Sequence, residues 1–228
     1  MRKSSLEEWK MGGYRQFCGV ARALDLIGGR WSMLIVRELL VRPARYSELR
    51  ESLPGIATNL LANRLRELEA GGVVERSLNT TTNSIVYSLT PWGEELRAVV
   101  DPLVRWSVPL MVSGPRADDT FRPQWLVVAL EALLEDARSA KKVTFGLDVE
   151  GALVTVTIDR SGCHVELDTG TRPQTVLRVD PFVALGLASG ELPAADAIGA
   201  GVLEGDPGVI FEAFAPHTHQ AATPARLA

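Results

Sequence analysis

The chain has 228 residues, 46% hydrophobic and 23% charged, with a formal net charge of −4. That length suits two domains of roughly 100–130 residues each, and the composition excludes a disordered or collagen-like chain. No apolar run approaches the roughly 18 residues of a membrane helix, no secretory core follows the charged start, and two cysteines cannot build a disulfide framework, so a cytoplasmic protein with no membrane partner is expected.

The net charge conceals an asymmetry. Residues 1–113 carry +3 and residues 114–228 carry −7, and within 10–76 all but one of the 11 basic residues are arginine. A polyanion would therefore meet only the first half.

In chain order, residues 1–17 read as a polar arm or short lead-in helix. Val20, Ala23, Leu24 and Ile27 recur at helical spacing and Gly28-Gly29 closes that helix. Trp31, Leu34, Ile35 and Leu39 mark a second helix ending near Pro43. Tyr46, Leu49 and Leu53 mark a short third one, with Ser47 as N-cap and Pro54-Gly55 as terminator. Leu61, Leu65 and Leu68 stripe a fourth from about Thr58 to Ala70. Strand-like runs Val73–Leu78 and Ile85–Leu89 follow, separated by a polar turn. Thr90-Pro91 then opens one long helix through Trp92, Leu96, Val99, Val100, Leu103 and Leu110, with a kink expected at Pro102.

This order is that of a winged helix-turn-helix. The fourth helix carries its signature. At about 100° per residue from Leu61, Asn59, Asn63, Arg66 and Ala70 lie about 140–200° away, opposite the leucine stripe. Asn and Arg pair bidentately with adenine and guanine edges in the major groove, whereas a merely solvated helix face usually carries Glu and Lys.

The run Cys18-Gly19-Val20-Ala21-Arg22-Ala23-Leu24-Asp25-Leu26-Ile27-Gly28-Gly29-Arg30-Trp31 resembles the opening of HxlR-type winged-helix regulators. So do Arg45-Tyr46-Ser47-Glu48-Leu49, Pro54-Gly55-Ile56, the run from Leu61 to Glu69, and Tyr87-Ser88-Leu89-Thr90-Pro91-Trp92-Gly93. The resemblance covers about 15–112 and implies a homodimeric bacterial transcription factor, more often a repressor, on double-stranded operator DNA. The candidate DNA-contacting residues are Ser47, Thr58, Asn59, Ala62, Asn63, Arg64 and Arg66. Two departures stand out. Ala57 occupies the usual serine cap, passing that role to Thr58, and Ser84 replaces a common wing arginine, leaving an uncharged tip with weak phosphate contacts. In some relatives a cysteine at the place of Cys18 senses oxidants, which needs an exposed thiolate favoured by cations such as Arg15 and Arg22. Cys18 is thus a candidate redox sensor, although a half-buried structural cysteine is the plainer reading.

The second half changes period. A helix striped by Leu126, Leu130, Leu133, Leu134 and Ala137 spans 123–139, and four alternating strands follow around 143–149, 152–158, 163–167 and 175–179. Asp180-Pro181 and Asp206-Pro207 then start short helices, giving an α+β layer. The run Thr175-Val176-Leu177-Arg178-Val179-Asp180-Pro181, then Gly190, Ala194–Ile198 and Gly201–Pro207, is similar to sterol-carrier-protein-type domains over about 122–215. That resemblance implies a sheet covered by helices around an apolar tunnel for a hydrophobic effector such as a lipid, terpenoid or aromatic polyketide. Candidate tunnel walls are Trp125, Val128, Phe145, Phe182, Phe211 and Phe214.

The expected organisation is therefore α+β in two domains: 1–113 for DNA binding and dimerisation, a 114–121 linker, 122–215 for the ligand, and a flexible tail 216–228 holding His217 and His219. The rival reading makes the second domain a dimerisation or partner-binding module. No catalytic constellation, metal site or cofactor motif is found; His164, Glu166 and Asp168 share a strand face, which reads as solvated.

Overall fold

The computed structural model describes residues 13–111 and 114–215; the expected tail 216–228 with His217 and His219, the first twelve residues of the arm, and residues 112–113 lie outside the described residues. The chain divides into two compact units, Met1–Val100 and Asp101–Ala228.

The first unit is a winged helix-turn-helix. Its elements run α1 (Gly19–Ile27), α2 (Ser32–Val41), β1 (Ala44–Arg45), α3 (Tyr46–Ser52), α4 (Thr58–Ala70), β2 (Val74–Asn79), β3 (Ser84–Leu89) and α5 (Pro91–Glu94), and α6 (Arg97–Met111) crosses the division. Ile35, Val36, Leu39, Leu49, Leu53, Leu61, Leu65 and Leu68 form its core. Strands β1, β3 and β2 make an antiparallel sheet in that order, with Ala44 opposite Tyr87 and Val74 opposite Leu89.

Several local expectations change. On α1 the buried residues are Ala21 and Ile27, while Val20 and Leu24 remain 68% and 43% exposed. The caps of α3 and α4 also differ: Arg45 and Ala57 hold the N-cap positions, so Ser47 and Thr58 lie inside their helices and cap nothing. In place of a serine cap, Glu48 Oε2 accepts the Arg45 backbone N–H at 2.6 Å, satisfying one of the donors a helix start leaves open. The hydroxyl of Tyr46 donates to the Thr58 carbonyl at 2.8 Å, tying the start of α3 to the start of α4.

The single long helix expected after Thr90 is two. Thr90 caps α5 by accepting from the Gly93 N–H at 3.0 Å, as its sequence implied, and its hydroxyl donates to the Gly72 carbonyl at 2.7 Å. Gly93 lies so close to the wing that a Cβ would sit 2.1 Å from the Val73 carbonyl oxygen. This strap holds α5 against the strands, and the chain restarts at Arg97. Pro102 and Pro109 lie inside α6, so the interruption precedes Pro102.

The second unit takes the rest of α6, because Arg105 Nη1 donates to the Ala132 carbonyl at 3.0 Å and pairs with Glu135 at 2.5 Å. It continues with α7 (Trp125–Leu133), β4 (Val143–Val149), β5 (Ala152–Ile158), β6 (Cys163–Leu167), β7 (Val176–Arg178), α8 (Pro181–Ser189), α9 (Ala194–Ala200), β8 (Val202–Glu204) and α10 (Pro207–Ala213). The sheet has five strands, not four, in the order β6-β5-β4-β7-β8, with β4 and β7 parallel and the other neighbours antiparallel. Helix α7 stops at Leu133, well short of 139. There Arg138 Nη1 takes the Glu135 and Ala137 carbonyls at 2.6 and 2.8 Å, engaging acceptors that a continued helix would use. The two Asp-Pro starts cap as expected, Asp180 accepting from Val183 N–H and Asp206 from Gly208 N–H, each at 2.8 Å.

Candidate nucleic-acid interface

Helix α4 is held by one face and free on the other. Leu61, Leu65 and Leu68 are at most 1% exposed, which fixes its rotation, while Thr58, Asn59, Asn63, Arg66 and Ala70 are exposed and Ala62 is half-buried. Ser47, on α3, is also exposed.

The charges on α4 are sorted into pairs. Arg64 is half-buried: its Nε donates to the Arg30 carbonyl at 3.1 Å and its Nη1 bonds Glu67. Glu69 lies 3.8 Å from Arg76 of the wing. Arg66 Nη2 bonds Asn63 Oδ1. The acids are thus neutralised toward the flanks, and amide and guanidinium groups are left on the outer face. Below them, the Arg45 N–H first and the nearby Arg42 second hold the Glu48 carboxyl below the usual carboxylate range.

The HxlR-like helix-turn-helix family profile matches residues 26–112. YkvN of Bacillus subtilis, named an uncharacterized HTH-type transcriptional regulator, is 38% identical over 90 residues, which are 39% of this chain and 76% of that protein. YodB of the same organism, an HTH-type transcriptional regulator, is 40% identical over 86 residues, 37% of this chain and 77% of that protein. The chain belongs to the HxlR-like helix-turn-helix family. The solved reduced form of YodB from B. subtilis aligns at 34% identity with a TM-score of 0.38, covering 44% of this chain and all of that one.

Within this HxlR-like unit the wing tip is uncharged and internally bonded. Asn79 Oδ1 accepts from the Thr81 and Thr82 N–H groups at 3.0 and 3.1 Å, and the Thr82 and Ser84 hydroxyls lie 2.8 Å apart. Cys18 occupies the N-cap of α1 with no capping bond, and it is exposed rather than half-buried.

The candidate tunnel residues of the second unit do not converge. Phe145 is 0% and Val128 1% exposed. A wall of a ligand-sized tunnel would present surface that a water-sized sphere can reach, so no open tunnel borders either side chain. Phe214 instead packs edge-on to Phe145 at 5.4 Å, Phe182 and Phe211 face solvent at 44% and 47% exposure, and Trp125 is half-buried. Leu126, Leu130, Leu147 and Leu177 are likewise closed to solvent, all at most 1% exposed.

An open cleft of about 420 Å³ does exist, but it is polar, lined by Glu131, Lys142, Thr157, Asp159, His164, Val165 and Glu166. Asp159 Oδ1 accepts from the Ser161 hydroxyl at 2.5 Å, which holds that carboxyl below its usual range, and Ser161 Oγ lies 3.1 Å from His164 Nε2. Because the serine proton points to Asp159, His164 is not placed to take it, and the contacts are those of a turn. Among the described residues no group of three His, Cys, Asp or Glu side chains could hold a metal ion, and no helix is long and apolar enough to cross a membrane.

Proposed function

We propose that this chain is a cytoplasmic transcriptional regulator that acts as a homodimer and represses by occupying operator DNA, with α4 in the major groove. The observation that carries this reading is the outer face of α4, where Asn59, Asn63 and Arg66 stand exposed opposite a fully buried leucine stripe. The relatives named as HTH-type transcriptional regulators support it. Dimerisation is supported by α6, where Val99, Leu103, Trp106 and Leu110 are all exposed. Their spacing of four, three and four residues is that of a coiled-coil seam, and apolar stripes of this extent mark association surfaces. The two reading helices of such a dimer address half-sites about 34 Å apart or a multiple of it. Cys18, as an exposed thiol at the start of α1, is the residue through which an oxidant would act on this regulator.

For the sterol-carrier-like second unit, the packing of Phe145 and Val128 favours the module reading over the effector reading. A lipid, terpenoid or aromatic polyketide would have to part side chains that are closed to solvent, whereas a dimerisation or partner-binding module needs no internal space. The reading as a whole is tested by binding isotherms of the full chain on selected duplexes, with native mass spectra of the complex expected to show two chains per duplex.

A further inference from the structure

Arg66 does not extend freely from α4. Its Nη2 bonds Asn63 Oδ1, and its Nε donates to the Ala62 carbonyl at 3.3 Å. The acids of the helix do not draw it away, since Glu67 is bonded by Arg64 and Glu69 lies beside Arg76. One of the two lone pairs of Asn63 Oδ1 is therefore engaged by a cation. What the pair offers outward is the Asn63 amide NH₂, the remaining Arg66 N–H groups and one Oδ1 lone pair beside a positive charge, so donors predominate.

This changes which base edge fits. A free asparagine reads adenine by accepting from N6 while donating to N7. With a guanidinium on Oδ1, the adenine N6 hydrogen can reach the second lone pair only beside a positive charge, which weakens that match. Guanine presents two acceptors, O6 and N7, at the same edge, and both suit a cluster of donors. We propose that Asn63 and Arg66 act as one donor-rich, positively charged reading unit that selects guanine at a single position of each operator half-site. The proposal rests on the reading that α4 enters the major groove.

The coupling makes a specific demand. Arg66→Ala releases Asn63 Oδ1 and restores its bidentate match to adenine, so the variant should change its preference rather than merely lose it. Asn63→Ala releases Arg66, which reads guanine unaided. Both side chains are exposed, so neither substitution disturbs the core.

The experiment is selection of bound duplexes from a randomised pool by the full-length wild type, Arg66→Ala and Asn63→Ala, followed by sequencing. The expected result is a wild-type motif with one G·C pair per half-site favoured about tenfold or more over A·T, kept in Asn63→Ala and converted to A·T in Arg66→Ala. An A·T pair in the wild type at the position that responds to Arg66→Ala overturns the proposal. So does loss of preference there without a move to A·T, or a motif that neither variant alters; each of these leaves operator binding itself standing. A pool in which the wild type enriches no sequence overturns both.

Discussion

At the scale of single residues, the arginines of α4 divide their labour by what already holds them. Arg64 is bound to the Arg30 carbonyl and to Glu67, and a Cβ on Gly29 would fall 2.8 Å from its Cζ. Glycine at position 29 lets the guanidinium lie against the turn between α1 and α2, so Arg64 fixes α4 to that turn. Arg64→Ala, and Gly29→Ala by displacing the same guanidinium, should weaken operator binding while leaving its salt dependence unchanged. Loss of a phosphate contact would instead reduce the slope of log affinity against log salt by about one, so a reduced slope in Arg64→Ala would assign it to the DNA backbone. The two cysteines also part company. Burial, then the nearby Glu131 carboxylate, push the Cys163 thiol up to about 12, whereas Cys18 is exposed. Native protein at pH 7.5 should react with one equivalent of maleimide per chain, and Cys18→Ser with none; rapid labelling of Cys163 would contradict the packing around it.

At the scale of elements, α3 depends on a charge that titrates. The Glu48 carboxyl caps the Arg45 N–H, and its folded pKa lies below its unfolded value, chiefly through that bond. Its contribution is fully present above the ordinary carboxylate range and is lost as pH falls through the lowered folded value. Thermal melting of wild type and Glu48→Gln should therefore differ near neutral pH and converge in acid; a gap that does not narrow as pH falls would show that the charge is not the source. This cap also explains what could be read in advance and what could not. Leu61, Leu65 and Leu68 announce α4 because their spacing alone sets a buried face, and the opposite face with Asn59, Asn63 and Arg66 follows by geometry. Strand β1 was illegible, since two residues become a strand only by pairing with β3. The break before α6, a turn at residues 95 and 96 where the Leu96 N–H donates to the Gly93 carbonyl, was equally hidden. Ser47 was misread as a cap because the acid one residue later does the work from within the helix. The stripe on α1 misled for a different reason: it carries more apolar positions than a single chain buries.

At the scale of the whole molecule, a basic first half and an acidic second half correspond to two compact units with separate cores. Alternation made β4, β5 and β6 legible, and the Asp-Pro pairs marked α8 and α10, but β8 depends on its partner β7 and escaped notice. The packing of α7 was not legible either, because apolar residues on a helix do not distinguish a lined cavity from a filled core. Val127 and Val128 of α7 are buried, whereas Trp125 is half-buried. In the second unit Phe145, Val128, Leu126, Leu130, Leu147 and Leu177 are closed to solvent, and in the proposed function the sequence-specific work falls to α4. The most direct test is the binding isotherm of the full-length chain on its selected duplex, measured beside Asn63→Ala and Arg66→Ala at one fixed salt concentration. The account predicts a loss of roughly 1–3 kcal/mol for each variant on the wild-type site, with the free protein folded as before. Isotherms that superimpose on the wild type in both variants would remove α4 as the element that reads DNA.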